Sequence, residues 1–481
     1  MRLLRVIMLL LLTVAVHTYA ADLPDLGDVS EATLSPQEEQ EIGRQVMHDI
    51  RAGSEYYDDT EATDYLNDLG YRLVSNSPVD TKDFHFFLMR DDQINAFALP
   101  GAYIGVNTGT ILAAQSESEL ASVIAHEIGH ISQHHMSRRL AHQKQTMMMS
   151  LATLALGVLA AFANSDLSEA AIAGSQAGAI QSELKFSRAN EREADQVGVQ
   201  ILEKAGFDPR AMVAFFKRLE RASRFSEASA APSYLQDHPL TYERIAYLED
   251  RVQDLPYKQV PDSLAFDLIR ARLRALLDSS QQALTFFQGS VSQKRYSNEA
   301  AARYGLVIAL MRNRDYKRAE AEFATLHKLV PSSPIVEALG AELKMNAGDT
   351  AGAVQAYRTA LTSFPNYRAL IYGYANALLR MHKAKPALDF VTGKLQDASD
   401  DKLYRLQAQA YSDLHKPFQA HSAMAEAYAQ IGSLPAAIEQ LQIALKTPGA
   451  DFYEKSSAEA RLRDFKHLDQ QQRKEAASSK F

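Results

Sequence analysis

The second half of the chain repeats itself, and that repetition limits its fold more than any other feature. Ala319 and Ala353, Phe323 and Tyr357, Pro331 and Pro365, and Asp315 and Asp349 are each 34 residues apart, and Ala387 continues the alanine series. A small residue, then an aromatic, then a proline at this period describes a helix pair that cannot bury its apolar face alone and must stack on its neighbours. No alternating strand pattern interrupts the series, so residues 263–469 are expected to form an α-solenoid. Two repeats are clear. Those on either side are degenerate, with Ala437, Leu441 and Ala444 marking a late one. The tail 470–481 is polar and expected to be disordered.

The N-terminal end carries a different signal. Residues 1–20 combine a positive start, an apolar run from Val6 to Val16, and Thr18-Tyr19-Ala20 before Ala21, the pattern of a cleaved export signal. The apolar run is shorter than the ~20 residues that span a bilayer. The chain contains no cysteine, which excludes a disulfide framework and lipid attachment at a terminal thiol. A periplasmic address fits these features. The formal charge of -8, or -10 without Arg2 and Arg5, gives no reason to expect nucleic acid as a partner.

Between leader and repeats, residues 21–255 read as one domain, followed by a linker at 256–262 with Pro256 and Pro261. Ser35-Pro36-Gln37-Glu38 starts a helix running to about Arg51, and a second runs from about Thr60 to Ser75 with Tyr65, Leu66, Leu69 and Leu73 on one face. Phe84 to Met89, Ala96 to Ala98 and Tyr103 to Asn107 read as strands, with Pro100-Gly101 turning between the last two. The last strand is expected to present an open edge that could hold an extended peptide. Ser116-Glu117-Ser118-Glu119 reads as a capping box opening another helix. The apolar 147–163 segment is read as a buried or site-covering helical hairpin, with peripheral membrane contact as the alternative. Helices follow from Glu183 to Lys204, Pro209 to about Ala222 and Tyr242 to Asp254.

Inside the helix opened by Ser116 lies His126-Glu127-Ile128-Gly129-His130. Histidines four apart share a helix face and can reach one metal ion with the glutamate beside it. Gly129 costs roughly 1 kcal/mol against alanine in a helix, so it marks a close approach by another backbone or by the site. A catalytic zinc site needs a third ligand. The candidates are Glu191, Glu193, Asp195, His134, His135, His142 and His238. Glu191 and Asp195 share a helix face that Glu193 does not, which favours Glu191 as ligand and Asp195 as the group that fixes a ligating imidazole from behind. His134 and His135 read as a polar helix end.

His126-Glu127-x-x-His130 with Glu191-x-x-Ala194-Asp195, preceded by Asn95-Ala96-Phe97-Ala98-Leu99-Pro100-Gly101 and followed by His238-Pro239 and Arg244, resembles the zinc metallopeptidase family of HtpX and the CAAX prenyl protease. The C-terminal pattern resembles tetratricopeptide repeats. One departure is Ala102, where the family more often has a second glycine. The resemblance implies a mainly α protein: an α+β zincin-type metalloprotease domain with a small sheet, then a tetratricopeptide α-solenoid. It implies one Zn²⁺ per chain. It further implies outer-membrane β-barrel precursors as substrates, the β-barrel assembly machinery as a partner of the repeats, and a role in quality control.

The residues support the same chemistry. Zinc on His126, His130 and Glu191 would acidify water and polarise a carbonyl, with Glu127 as the proton carrier, giving peptide-bond hydrolysis. His238 has two readings, a transition-state hydrogen-bond donor or a removable fourth ligand that keeps the site latent. Arg244 is expected to brace the site through a carboxylate. The competing functional class is a chaperone or assembly scaffold in which proteolysis is secondary.

Overall fold

The computed structural model describes residues 35–79, 83–140, 142, 187–224, 233–256 and 258–478. The leader 1–20 and the 147–163 segment lie outside them. Among the described residues no helix is long and apolar enough to cross a membrane. The chain divides into two units, 1–38 with 134–181 and 39–133 with 182–481. In the first, Ser35 and Glu38 form the reciprocal cap expected of them: the Ser35 N–H donates to Glu38 Oε2 at 2.8 Å and the Glu38 N–H to Ser35 Oγ at 3.3 Å. Residues 135–140 are helical.

The second unit contains the rest. Helix α1 (Pro36–Ala52) ends in it, and α2 (Thr60–Val74) is capped by Asp59, whose carboxylate accepts the Ala62 N–H at 2.9 Å. Three strands follow: β1 (His85–Met89), β2 (Ala96–Leu99) and β3 (Tyr103–Asn107), in the order β1-β3-β2. The last strand is therefore central, not an open edge. It pairs parallel with β1 and antiparallel with β2, and all five of its residues are buried. The turn at Pro100-Gly101 folds β3 back onto β2, and β1 then takes its other side. The edge strand beside the histidine helix is β2. The Asn107 N–H donates to Asn95 O at 3.0 Å. By antiparallel alternation, Phe97 and Leu99 then bond inward while the main chain of Ala96 and Ala98 faces out.

Helices α3 (Thr108–Ala113) and α4 (Glu117–Ser132) come next, and residues 187–205 form α5. Only half of the expected capping box opens α4. Ser116 Oγ accepts the Glu119 N–H at 3.2 Å, but the Glu119 carboxylate accepts the Gln115 N–H at 2.6 Å and pairs with Arg218 at 2.6 Å. Helices α6 (Arg210–Arg224), α7 (Ser233–Asp237) and α8 (Tyr242–Gln253) complete this part.

Twelve further helices follow, from α9 (Leu264–Leu277), α10 (Ser280–Ser292) and α11 (Glu299–Arg312) through α12 (Tyr316–Leu329), α13 (Pro334–Asn346), α14 (Thr350–Ser363), α15 (Arg368–Arg380), α16 (Ala384–Asp397), α17 (Asp401–Asp413), α18 (Pro417–Gln430) and α19 (Leu434–Lys446) to α20 (Phe452–Ser478). The repeat is visible in its contacts. Phe287, Phe323 and Tyr357 each set a ring against a glycine of the next helix, Gly305, Gly340 and Gly373, where a Cβ would overlap it. Left-handed residues close successive helix pairs at Arg314, Gly348, His382 and His415, spaced 34, 34 and 33 apart. The tail differs from expectation: residues 470–478 continue α20 rather than lying disordered. These residues hold no apolar side chain larger than alanine, yet all but Ser478 favour helix, and Arg473 pairs with Asp469 one turn back at 2.9 Å.

Residues 256–262 mark no break in packing. One apolar core runs from Leu66 and Leu73 through Ile124 and Phe215 to Phe266, Leu310 and Leu339. Each such side chain, fully buried, contributes about 1.5–3 kcal/mol. Polar groups bolt the same junction. Ser263, the cap of α9, donates through N–H and Oγ to Glu117 at 3.0 and 2.7 Å, while the Glu117 N–H donates to Asp262 at 2.7 Å. Arg272 pairs with Asp59 at 2.9 Å and with Glu61 at 2.6 Å. Arg368 reaches Asp64 at 2.6 Å and Lys402 reaches Asp58 at 2.7 Å. Burial pushes the Glu61 carboxyl up to about 7 against the pull of Arg272.

Ala102 sits at φ 61°, immediately after Gly101 at φ 72°. A left-handed residue with a Cβ costs ~1–2 kcal/mol, partly offset by glycine's greater freedom in the unfolded chain. Ala102→Gly is expected to leave the midpoint of thermal unfolding unchanged or to raise stability by up to about 1 kcal/mol; a clear loss would show that the Ala102 side chain, not the turn, matters at this site.

Candidate metal centre

The centre is built where α4 and α5 touch. Leu120, Val123, Ile124 and Ile128 are all essentially inaccessible and fix which way α4 faces, so His126 and Glu127 are carried inside. Two small residues let the helices close. A Cβ on Gly129 would lie 2.8 Å from Ala194 O and 3.0 Å from Ala194 Cα; a Cβ on Gly198 would lie 3.3 Å from the main-chain nitrogen of His126 and 2.9 Å from Met212 Cε. The close approach expected of Gly129 is thus made by another backbone. Glu191, Asp195 and Gly198 follow one another at four and three residues, and so share the face of α5 turned to the histidines.

That contact brings His126, His130 and Glu191 together. The Nε2 atoms of His126 and His130 are 3.0 Å apart, and the Glu191 carboxylate lies 3.3 Å from the first and 3.5 Å from the second. Asp195 stands behind, its Oδ1 3.0 Å from His126 Nδ1 but off the line of a well-formed hydrogen bond. Arg244, from α8, pairs through Nη1 with Glu191 at 2.8 Å and donates through Nε and Nη2 to Asp195 at 2.8 and 2.7 Å.

His238 arrives from a third direction. It lies one residue beyond α7, and its N–H donates to Tyr234 O at 2.8 Å. The Tyr234 N–H donates to Ile94 O at 3.1 Å, and Asn95 Nδ2 to Asp237 at 3.0 Å, tying this segment to the entry of β2. His238 Nδ1 lies 3.1 Å from Glu191 Oε1 and 3.4 Å from His126 Nε2, while Nε2 lies 3.4 Å from Glu127 Oε1. Ligand atoms of His126, His130, Glu191 and His238 all fall within 4.8 Å of one another. Among the described residues, His134, His135, His142 and Glu193 do not belong to this group. The helix ends before His134, which is left-handed at φ 50°.

Peptidase family M48 is the family whose model matches residues 60–252, and a tetratricopeptide repeat model matches residues 344–410. The chain is 30% identical over 456 residues to the beta-barrel assembly-enhancing protease of Escherichia coli (strain K12), covering 93% of this chain and 92% of that protein. The chain belongs to peptidase family M48. It is also 32% identical over 382 residues to a putative beta-barrel assembly-enhancing protease of Vibrio cholerae, covering 79% of this chain and 78% of that one. Metalloprotease LoiP of Escherichia coli (strain K12) is 30% identical over 230 residues, 47% of this chain and 82% of its own. This M48 member is accordingly a metalloendopeptidase that carries tetratricopeptide repeats.

The donor set of this M48 peptidase fits a metal on its own geometry. Ligands about 2.0–2.1 Å from a tetrahedral ion are separated by about 3.3–3.4 Å. The separations here run from 3.0 to 3.5 Å. The surroundings are negatively charged, as a cation requires. Burial alone would push the His126 pKa down, but the Asp195 and Glu191 carboxylates beside it hold it up at about 9. Burial would raise Glu191 and Asp195, yet the histidines and Arg244 keep both below the usual carboxylate range. Glu127 is raised, chiefly by burial, although it accepts the Ala98 N–H from β2.

Three contributors to the M48 site escaped the sequence reading. Tyr234 packs its ring 4.8 Å from that of His238, and its buried hydroxyl has no hydrogen-bond partner among the described residues. Its spacing of four from His238 was the available signal. Phe216 lies under the Arg244 guanidinium at 5.2 Å. Gly198 was legible only as the continuation of the Glu191 and Asp195 face. Because the helix contact sets the ligand spacing, Gly129→Ala is expected to cost about 1–3 kcal/mol in stability and to lower metal content. Calorimetry and elemental analysis check this; a variant with unchanged melting and metal content would mean the helices do not depend on that contact.

Proposed function

We propose that this chain is a periplasmic zinc metalloendopeptidase acting in outer-membrane protein assembly and quality control, with its repeats recruiting substrate or assembly machinery. The observation that carries the reading is the convergence of His126, His130 and Glu191 on one point with Glu127 beside them. The printed names of the relatives support the assembly role, and the apolar leader at 1–20 supports export.

His126, His130 and Glu191 are the residues to hold zinc. When bound, zinc supplies Lewis acidity toward the scissile carbonyl and brings the pKa of water toward ~7. Glu127 accepts the proton of the attacking water and delivers it to the leaving amine. Its burial suits this, since a carboxyl with a raised pKa holds the proton between the two transfers. Asp195 orients His126, and Arg244 holds both acidic residues against repulsion in a dry setting. The outward main chain of Ala96 and the outward C=O of Ala98, whose N–H is held by Glu127, are the place on β2 where an extended substrate adds as a further strand.

For His238 the geometry favours the latch over the donor. Its Nδ1 turns into the ligand group and its Nε2 toward Glu127, so one ring covers both the fourth position and the base. His238→Ala is expected to raise casein hydrolysis; a fall supports the donor, and no change removes both roles. Glu191→Gln is expected to lose zinc and hydrolysis together, whereas Glu127→Gln keeps zinc and loses about 10²–10⁴ in rate. Elemental analysis beside a casein assay separates them, and zinc retained in Glu191→Gln would overturn the ligand assignment. Full envelope function in cells carrying Glu127→Gln would favour the chaperone or scaffold reading.

A further inference from the structure

The outward main chain of β2 is engaged at both ends by the groups that surround the metal centre. Along this stretch the inward bonds belong to Asn95, Phe97 and Leu99: the Asn107 N–H donates to Asn95 O, and the register sets Phe97 against Gly105 and Leu99 against Tyr103. By the same alternation Ile94 falls in the outward row with Ala96 and Ala98. Glu127 takes the Ala98 N–H at one end of that row, and the Tyr234 N–H donates to Ile94 O at 3.1 Å at the other. Tyr234 belongs to α7, the short helix that delivers His238 to the ligand group. A second bond, from Asn95 Nδ2 to Asp237 at 3.0 Å, fastens the far end of α7 to the same stretch. The segment that covers the metal position is therefore fastened to a strand edge by a main-chain bond of the kind that an added strand makes.

We propose that the enzyme selects its substrates by strand length: an extended segment that reaches along β2 from Ala98 to Ile94 takes the Ile94 carbonyl from Tyr234 and draws α7 and His238 off the metal centre, whereas a shorter segment leaves them in place. The inference rests on the reading of His238 as a latch. The exchange replaces one N–H donor at Ile94 with another, so opening α7 does not strand that carbonyl, and the freed Tyr234 N–H turns to water. Tyr234 is held less firmly than its burial suggests, because its buried hydroxyl has no hydrogen-bond partner among the described residues. The length follows from strand geometry. Ala98 adjoins Glu127 and hence the reacting bond, and at ~3.4 Å per residue Ile94 lies about 14 Å farther along. A peptide of four residues centred on the metal reaches about 7 Å to either side and stops short, while one of ten reaches about 17 Å and covers Ile94 in either chain direction. The favoured substrate is a long unpaired strand rather than a short exposed loop.

The test reads binding and amide exchange, not turnover, and uses the full chain carrying Glu127→Gln so that the probes survive. Terminally blocked peptides of alternating valine and serine, of those two lengths, are each added to saturation. The longer peptide is expected to speed hydrogen exchange at the Tyr234 and His238 amides at least about tenfold, and the shorter to leave both protected. Asp237 is exposed, so Asp237→Ala loosens α7 without disturbing the core. It should tighten the longer peptide about two- to tenfold, the worth of one such hydrogen bond, and leave the affinity of the shorter unchanged. Equal protection of Tyr234 under both peptides, an Asp237→Ala effect that is the same for both, or no binding of the longer peptide overturns the inference. The latch is judged separately by casein hydrolysis in His238→Ala, so exchange that responds to length in a chain whose latch fails that assay locates the error in the role of His238 and not in the competition for Ile94.

Discussion

A single buried guanidinium holds the centre together. Arg244 is 2% exposed and contacts Glu191 and Asp195 at 2.7–2.8 Å, two carboxylates buried beside it. Removing one partner of such an arrangement strands a buried charge, at a cost of about 3–5 kcal/mol. With Arg244 in place, Glu191 is held facing His126 and His130, and Asp195 faces the far nitrogen of His126. The arrangement requires α4 and α5 to be closer than ordinary side chains allow. Gly129 and Gly198 supply that closeness, one from each helix, Gly129 against Ala194 and Gly198 against the main chain of Ala125 and His126. Charge pairing and close packing therefore condition each other here.

The repeats are joined to this centre by more than a linker. Glu117, in the first turn of the histidine helix, is the acceptor for the cap of the first repeat helix through Ser263, and the same core passes between them. Farther along, Arg272, Arg368 and Lys402 meet the acidic start of α2. An exposed ion pair contributes at most about 1 kcal/mol, but the Arg272 cluster is buried, and its partners are specified by position. Peptidase and repeats thus share one scaffold.

Much of this was legible in the chain itself. The period of 34 gave the solenoid because identical spacing forces identical helix pairs, and Ala319, Ala353 and Ala387 are all fully buried. Helix starts at Ser35 and Ser116 followed from caps, which are local chemistry, and the helix from about Thr60 from the helical spacing of Tyr65, Leu66, Leu69 and Leu73. The strand order was not legible, because β1 and β2 compete for the same partner, and a short apolar strand such as Tyr103–Asn107 reads alike at an edge or in the middle. The tail from Gln470 misled for a related reason: lack of apolar residues removes a packing signal but not helix propensity. Tyr234 was hidden because its partner, His238, lies beyond an irregular stretch.

The sequence by itself determined the chemistry available: two histidines and a glutamate on one helix face, two acidic residues on another, and a stack of helix pairs behind them. These follow from spacing, which the 3.6-residue turn converts directly into shared faces. Only the tertiary structure decided which of seven candidate side chains meet, that β2 and not β3 is the free edge, and that His238 turns its Nδ1 toward Glu191. Those outcomes depend on how closely separate helices approach, and that distance is set by small residues and buried charges acting across 60 to 110 positions of chain, where no local periodicity reports it.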